Sequence, residues 1–434
     1  MSTHKVAIEL LMKSDYLGAL SVAGPLLKNH AGDLAAWYFT IQAVKGLGEI
    51  EDAKKNLRSL CIATAKERRP ILALAQIKEL EEWGGSTDKL LNELAAMYGS
   101  GSMYVDEVEM SPPPLPSTAP IEPWDTTSDQ GELIEQALNA MAMAWGNAQT
   151  LELDGSQLPF VPLLSSLEPE DLVLLFKEFK RQVYAPEDTI VEQDAIGDAI
   201  YIIADGEVAI IRKSAQGEEQ ELAKLGPGAF FGEMAIVSRA PRAAEVRAVE
   251  QTVVLRALKK DMEELAVRIP EIGNVLIAFC HARMLENLMR VSPVLAPVPV
   301  QRRPEVIALF STDYHEAGNE IITEGQKGPG LFLIVSGRVR VTKKESGDQI
   351  ILAELGPGDL FGEISLLMQR PSTATVISSE DTALLFLPSD EFHNVTSEFP
   401  ELLKGAFDIA LAREAQNNSI LASSAAAADD LILV

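Results

Sequence analysis

The chain has 434 residues, 47% hydrophobic and 23% charged, enough apolar material for about three globular domains. Its formal net charge of −27 repels nucleic acid and anionic lipid, so neither is expected as a partner. The charge is uneven: residues 1–100 carry 12 acidic and 12 basic side chains, residues 101–160 carry 10 acids and no Lys or Arg, and the remainder carries 42 acids against 25 bases. Cys61 and Cys280 lie in apolar, helix-like stretches and read as buried free thiols of a reducing compartment. No Cys/His spacing suits a metal. No apolar run reaches the ~20 residues that cross a bilayer, and Met1 to Ser14 lacks a leader-type segment. These features predict a cytoplasmic protein without metal, cofactor or membrane insertion.

Residues 4–99 place apolar side chains at three- and four-residue spacing, as in Leu34, Trp37, Ile41 and Val44, which predicts helices throughout. A 34-residue offset relates Ala19 to Ala53, and Trp37, Ala53 and Leu57 fall at large-small-large packing positions. This pattern resembles a tetratricopeptide-like array of two to three helical hairpins, so an all-α helical-hairpin domain is expected over 1–100. The resemblance implies a concave surface for a protein partner. Residues 101–157 read as an acidic, Pro-rich linker with Ser111-Pro112-Pro113-Pro114-Leu115-Pro116 and one short helix, Glu132 to Trp145.

From about residue 158 the chain repeats itself. Asp205-Gly206-Glu207-Val208 returns as Ser336-Gly337-Arg338-Val339, Leu225-Gly226-Pro227-Gly228 as Leu355-Gly356-Pro357-Gly358, and Phe231-Gly232-Glu233 as Phe361-Gly362-Glu363. Short alternating runs between Gly-bearing turns predict a β-roll, jelly-roll-like, in each copy. The copies are assigned to 158–292 and 293–415, each ending in a helix, within 258–291 and 389–415. The whole is a multidomain α+β chain. Residues 416–434 are Ser/Ala-rich and read as a flexible tail whose end, Asp429 to Val434, is a candidate docking peptide.

The chemistry concentrates in Phe231-Gly232-Glu233-Met234-Ala235-Ile236 and Pro241-Arg242-Ala243-Ala244-Glu245-Val246. A short helix opened by Gly232 presents backbone N–H groups to an anion. Arg242 supplies a fork for two phosphate oxygens. Glu233 can accept from a sugar hydroxyl, and the small Ala235, Ala243 and Ala244 allow close approach. Together these groups suit a phosphate joined to a ribose with a free 2′-hydroxyl. An unpaired Arg242 in a partly buried pocket is costly, which also argues for an anion there.

The cassette resembles the phosphate-binding cassette of the cyclic-nucleotide-binding domain family, which includes catabolite activator protein and regulatory subunits of cAMP-dependent protein kinase. The first copy departs from it at Glu245, where the family has Thr or Ser. The resemblance implies Glu233 on the ribose 2′-hydroxyl, Arg242 on the cyclic phosphate, and backbone contacts from Gly232, Ala235 and Ala243, with Met234 and Ala244 beside them. Ala243 favours cAMP over cGMP as ligand. The second copy keeps Gly362, Glu363 and Ser365 but has Ser372 and Thr373 where the arginine and its neighbour stand. Arg370 reads as a surface residue. Module two is therefore expected to be degenerate, either a structural or partner-binding module or a holder of a neutral nucleoside-like ligand.

The leading reading is a regulator that passes cyclic-nucleotide occupancy of module one to a protein partner. The alternative is a scaffold with both pockets empty. No catalytic constellation or helix-turn-helix is evident, so an enzyme and a transcription factor are disfavoured. A kinase regulatory subunit with a basic inhibitor segment also fits poorly, because 101–160 contains no base.

Overall fold

A computed structural model gives the fold; it describes residues 3–106, 122–127, 129–150, 158–213, 219–232, 242, 244–276, 292, 297–302, 305–306, 308–345 and 348–432. The N-terminal region is all-α: α1 (Thr3–Met12), α2 (Tyr16–Asn29), α3 (Leu34–Gly46), α4 (Ile50–Lys66), α5 (Pro70–Glu82) and α6 (Asp88–Tyr98). The sequence marks their starts. Asp15 and Asp33 each accept the N–H of the residue three positions on, Gly18 and Ala36, at 2.9 Å. Pro70 opens α5, where its missing N–H costs nothing. Trp37, Ala53 and Leu57 are all buried, as their spacing requires. A seventh helix, α7 (Gln130–Gln149), is longer than the short one expected in the linker. It packs on α2, α3 and α4 through Leu133, Ala137, Met141 and Ala144, so the chain returns to the helical region before entering the first roll.

A short parallel pair, β1 (Val105–Asp106) with β2 (Leu158–Pro159), leads into module one. Its eight strands are β3 (Lys180–Tyr184), β4 (Thr189–Val191), β5 (Ala199–Asp205), β6 (Val208–Lys213), β7 (Glu219–Leu225), β8 (Phe230–Phe231), β9 (Glu245–Ala248) and β10 (Thr252–Leu258). They form two four-stranded sheets, ordered β3-β10-β5-β8 and β4-β9-β6-β7. Module two repeats this with β11 (Ser311–His315), β12 (Glu320–Ile322), β13 (Gly330–Ser336), β14 (Val339–Glu345), β15 (Asp348–Leu355), β16 (Leu360–Phe361), β17 (Thr375–Ser378) and β18 (Thr382–Pro388), ordered β11-β18-β13-β16 and β12-β17-β14-β15. The equivalence extends to rings: Tyr201 stacks on Phe231 and Phe332 on Phe361, each at 4.9 Å between centroids.

Strand β5 explains its own composition. Ala199, Tyr201 and Ile203 face the interior of the roll, while Ile200, Ile202 and Ala204 join the core of the N-terminal helices. A strand covered on both faces reads as an unbroken apolar run. Strand β13 is likewise double-sided, but its outer face, Leu331, Leu333 and Val335, is covered by helices of its own module, Ser389–Glu398 and Pro400–Ile432, through Phe392, Phe399 and Leu402. The last of these helices continues through 416–432, where a flexible tail was expected. The physical reason is Ala: the composition that looks like low complexity also has the highest helix propensity, and the packed turns from Pro400 onward supply the nucleus.

The helical region and module one share one continuous core. At its polar centre Arg181 of β3 reaches Glu79 of α5 at 3.4 Å and Glu82 at 3.3 Å. The Tyr38 hydroxyl donates to Glu79 at 2.9 Å and Gln42 donates to it at 2.9 Å, which completes the carboxylate's bonding. Burial pushes the Tyr38 phenol well above its ordinary range, with the Glu79 charge adding to it. The two modules meet through Arg338, 3.3 Å from Asp194.

Candidate functional site

In module one, Gly232 follows β8 with φ +78°, and a Cβ there would come within 2.9 Å of the Ala199 carbonyl oxygen, so only glycine fits without strain. Arg242 is 8% exposed. Its Nη1 donates to the Gly232 carbonyl at 2.8 Å and its Nη2 to the Ala199 carbonyl at 2.7 Å. The guanidinium is therefore held: backbone carbonyls already bond it, so it is not the unpaired charge that would demand an anion. Its main chain is fixed as well, because Arg242 N–H donates to Ala195 O and Asp194 N–H donates to Arg242 O, both at 2.9 Å. Of the other residues singled out in sequence, Ala244 precedes β9, whereas Glu233, Met234, Ala235 and Ala243 lie outside the described residues.

Glu245, the departure from the family pattern, is buried, and the structure shows how it is accommodated. Its register partner is Ile211, on the face opposite the Ile210 and Val246 pair of the interior. There it meets Lys213 at 2.5 Å and Arg247 at 2.6 Å. Burial pushes the Glu245 carboxyl up, but the bonds from these two cations outweigh it and hold the group below its ordinary value.

Module two assembles Gly362, Glu363, Ser365, Ser372 and Thr373 around one cavity of about 330 Å³. Ser372 occupies the place of Arg242: its N–H donates to Gln326 O and its carbonyl accepts from Gly325 N–H, both at 2.8 Å, the same two-bond bridge that fixes Arg242. Its hydroxyl, on a residue only 6% exposed, has no hydrogen-bond partner among the described residues. Arg370 pairs with Glu414 at the surface. Glu363 is 2% exposed, and the C-terminal helix brings Arg413 to it, Nη1 to Oε1 3.1 Å. Burial raises the Glu363 carboxyl above its ordinary value, against the lowering effect of the Arg413 charge. Gln416 and Asn417 of the same helix line the cavity. Sequence reasoning missed these three helix residues: they sit 50 or more positions from Glu363, in a stretch whose local pattern signals only a helix.

Cys61 is buried, and burial lifts its thiol above the ordinary range, which suits the inert role expected of it. Cys280 lies outside the described residues. Among the described residues no cluster suits a metal ion and no helix is long and apolar enough to cross a membrane.

Known proteins bear on the same two regions. The family model described as cyclic nucleotide-binding domain matches residues 181–268 and 313–399. The chain is 28% identical over 244 residues to the cAMP-dependent protein kinase regulatory subunit of Yarrowia lipolytica, covering 56% of this chain and 60% of that protein. It is 27% identical over 245 residues to the corresponding subunit of Eremothecium gossypii, covering 56% and 49%. The chain thus spans half to three fifths of the length of these relatives. Among solved structures, the regulatory domain of Toxoplasma gondii PKA with cAMP aligns at TM-score 0.27 and 22% identity, covering 56% of this chain and 90% of that one. Residues 181–268 and 313–399 are therefore two cyclic nucleotide-binding domains in tandem, and over them this chain is homologous to regulatory subunits of cAMP-dependent protein kinase.

Proposed function

We propose that this protein is a non-enzymatic, cytoplasmic regulator in which module one binds a cyclic nucleotide, cAMP in preference to cGMP, and passes its occupancy to a protein partner. The observation that carries the reading is Arg242, buried at the end of the cassette with side chain and main chain both fixed beside Gly232. A guanidinium already oriented loses little freedom when a phosphate arrives. The curated relatives named above are regulatory subunits of cAMP-dependent protein kinase. Glu233 on the ribose hydroxyl, with Met234, Ala235, Ala243 and Ala244 around the ligand, belongs to the same proposal, as does the division of the chain at residues 100, 157, 292 and 415.

The tetratricopeptide-like face and the C-terminal segment are the proposed protein contacts. Part of that helical face, from Tyr38 and Gln42 to Glu79, is taken up by module one itself. Occupancy can therefore reach the helices through a direct contact. The test is calorimetric titration of the full chain with cAMP and cGMP. One tight site for cAMP is expected, with weaker cGMP binding; no heat with either nucleotide would leave the scaffold reading.

A further inference from the structure

Helix α2 carries two residues that weaken a helix, side by side near its middle. Gly24 has the poorer helix propensity of a residue without a side chain. Pro25 has no N–H to give the carbonyl four residues back, which belongs to Ser21. No turn requires either of them, because α2 runs unbroken from Tyr16 to Asn29 and Gly24 keeps a helical backbone. Both are accounted for by the chain itself, which returns across the helix a hundred residues later. The Trp124 N–H donates to the Ser21 carbonyl at 2.8 Å, in place of the donor that Pro25 lacks. The Trp124 ring lies so close on Gly24 that a Cβ there would collide with it. Ser21, Gly24 and Pro25 are all buried, and the half-buried indole packs on the core of the helical region.

The notch therefore combines a carbonyl released from the helical ladder with a bare stretch of backbone. Together they fit a tryptophan whose own main-chain N–H is not engaged in a helix or sheet. Pro123 fixes the backbone just before that tryptophan, so little freedom is lost when the ring docks. The occupant is lightly held. Glu122, Pro123, Asp125, Thr126 and Thr127, on either side of Trp124, are exposed. Thr127 turns its N–H and its hydroxyl back on Asp125 of the same segment, at 2.9 and 2.8 Å. Helix α7, which follows, has its own attachment to α2 through Leu133, Ala137, Met141 and Ala144. A contact of one ring and one hydrogen bond can open locally while the helices stay folded.

We propose that the Gly24–Pro25 notch of α2 is a peptide-docking slot, filled in cis by Trp124 and taken in trans by a partner protein that offers an extended Pro-Trp segment. The chain's own linker is then a competitor that keeps the slot closed until such a partner arrives. The specificity is that of the occupant in place: an indole against Gly24, and a main-chain N–H on the Ser21 carbonyl. The proposal rests on the reading of the helical region as a protein contact, and not on nucleotide binding by module one.

The test is fluorescence anisotropy of a labelled synthetic peptide of residues 119–128 with the full chain and its variants. Trp124→Ala removes the tethered competitor and should raise peptide affinity at least about tenfold over the parent. In that background Gly24→Ala fills the bare backbone and should lower the affinity at least about tenfold, although it favours the helix itself. Pro25→Ala, again in that background, returns an N–H to the Ser21 carbonyl and should lower it several-fold, about the worth of one hydrogen bond. Trp124→Ala should melt close to the parent. The proposal is wrong if Trp124→Ala binds no peptide below about 1 mM, or if adding Gly24→Ala leaves its affinity unchanged. A marked fall in melting temperature without peptide binding would also overturn it, by making Trp124 a structural anchor. Dimerisation of the parent that Trp124→Ala abolishes would give the slot to a second copy and overturn the assignment to a partner protein. Titration of the same variants with cAMP keeps the two readings apart. Intact cAMP binding with no peptide binding removes the slot and leaves the regulator, whereas peptide binding in the expected order with no cAMP binding does the opposite.

Discussion

At the scale of single residues, the two cassettes form a natural comparison because the same two-bond bridge holds Arg242 in one and Ser372 in the other. Arg242→Ala should lower cAMP affinity by at least tenfold, since truncating a paired charge in a partly dehydrated pocket costs about 2–5 kcal/mol. Ser372→Ala should leave cAMP affinity unchanged; calorimetry that shows the reverse pattern would move the cyclic-nucleotide site to module two. Glu245 supports a different measurement. Its carboxyl is held below its ordinary value of 4.5 in the folded chain, so its contribution to stability is present above that pH and lost as the pH falls through the folded value. The stability gap between the parent and Glu245→Gln should be full at pH 7 and close in acid, read by chemical denaturation at a series of pH values. A gap independent of pH would mean that the Lys213 and Arg247 bonds do not depend on the charge.

At the scale of elements, β5 and α5 carry the junction between the helices and module one. Arg181 and Glu79 are both largely buried, and removing one partner strands the other. Glu79→Ala should therefore destabilise the chain by about 3–5 kcal/mol, whereas Glu79→Met with Arg181→Met should recover most of the loss, because two apolar side chains leave no orphaned charge. Scanning calorimetry on the three proteins checks this, and equal loss in single and double variants would show that the pair acts only through its packing. The sequence made β5 legible as a strand, read as one of the short alternating runs between Gly-bearing turns. It could not say why the run is unbroken, because the residues covering its second face lie more than a hundred positions upstream, in α5.

At the scale of the whole molecule, the two modules are built alike but covered differently. Module two closes its outer sheet with its own C-terminal helices, so a fragment spanning 297–432 should fold alone and melt cooperatively. Module one shares its outer core with the N-terminal helices, so removing residues 1–100 bares Ile200, Ile202, Ala204 and Leu255. That truncated chain should bind a hydrophobic dye and aggregate, and the isolated 1–100 fragment should be poorly folded for the same reason, since α5 is buried against the roll. A monomeric, cooperatively melting 101–434 fragment would contradict this account of the core.

The sequence by itself determined the all-α start, the tandem rolls, the offset that relates them, and the contrast of Arg242 with Ser372. Each of these is written in local periodicity, in turn glycines, or in a short cassette that repeats. Only the tertiary structure decided that Arg242 is bonded by carbonyls rather than waiting for an anion, that the helical face is partly filled by module one, and that Arg413 enters the second pocket from the C-terminal helix. Those facts depend on groups brought together across 10 to more than 100 residues of chain. The free energy of such contacts arises when water is excluded between elements already formed, and no local pattern in the sequence records which elements will meet.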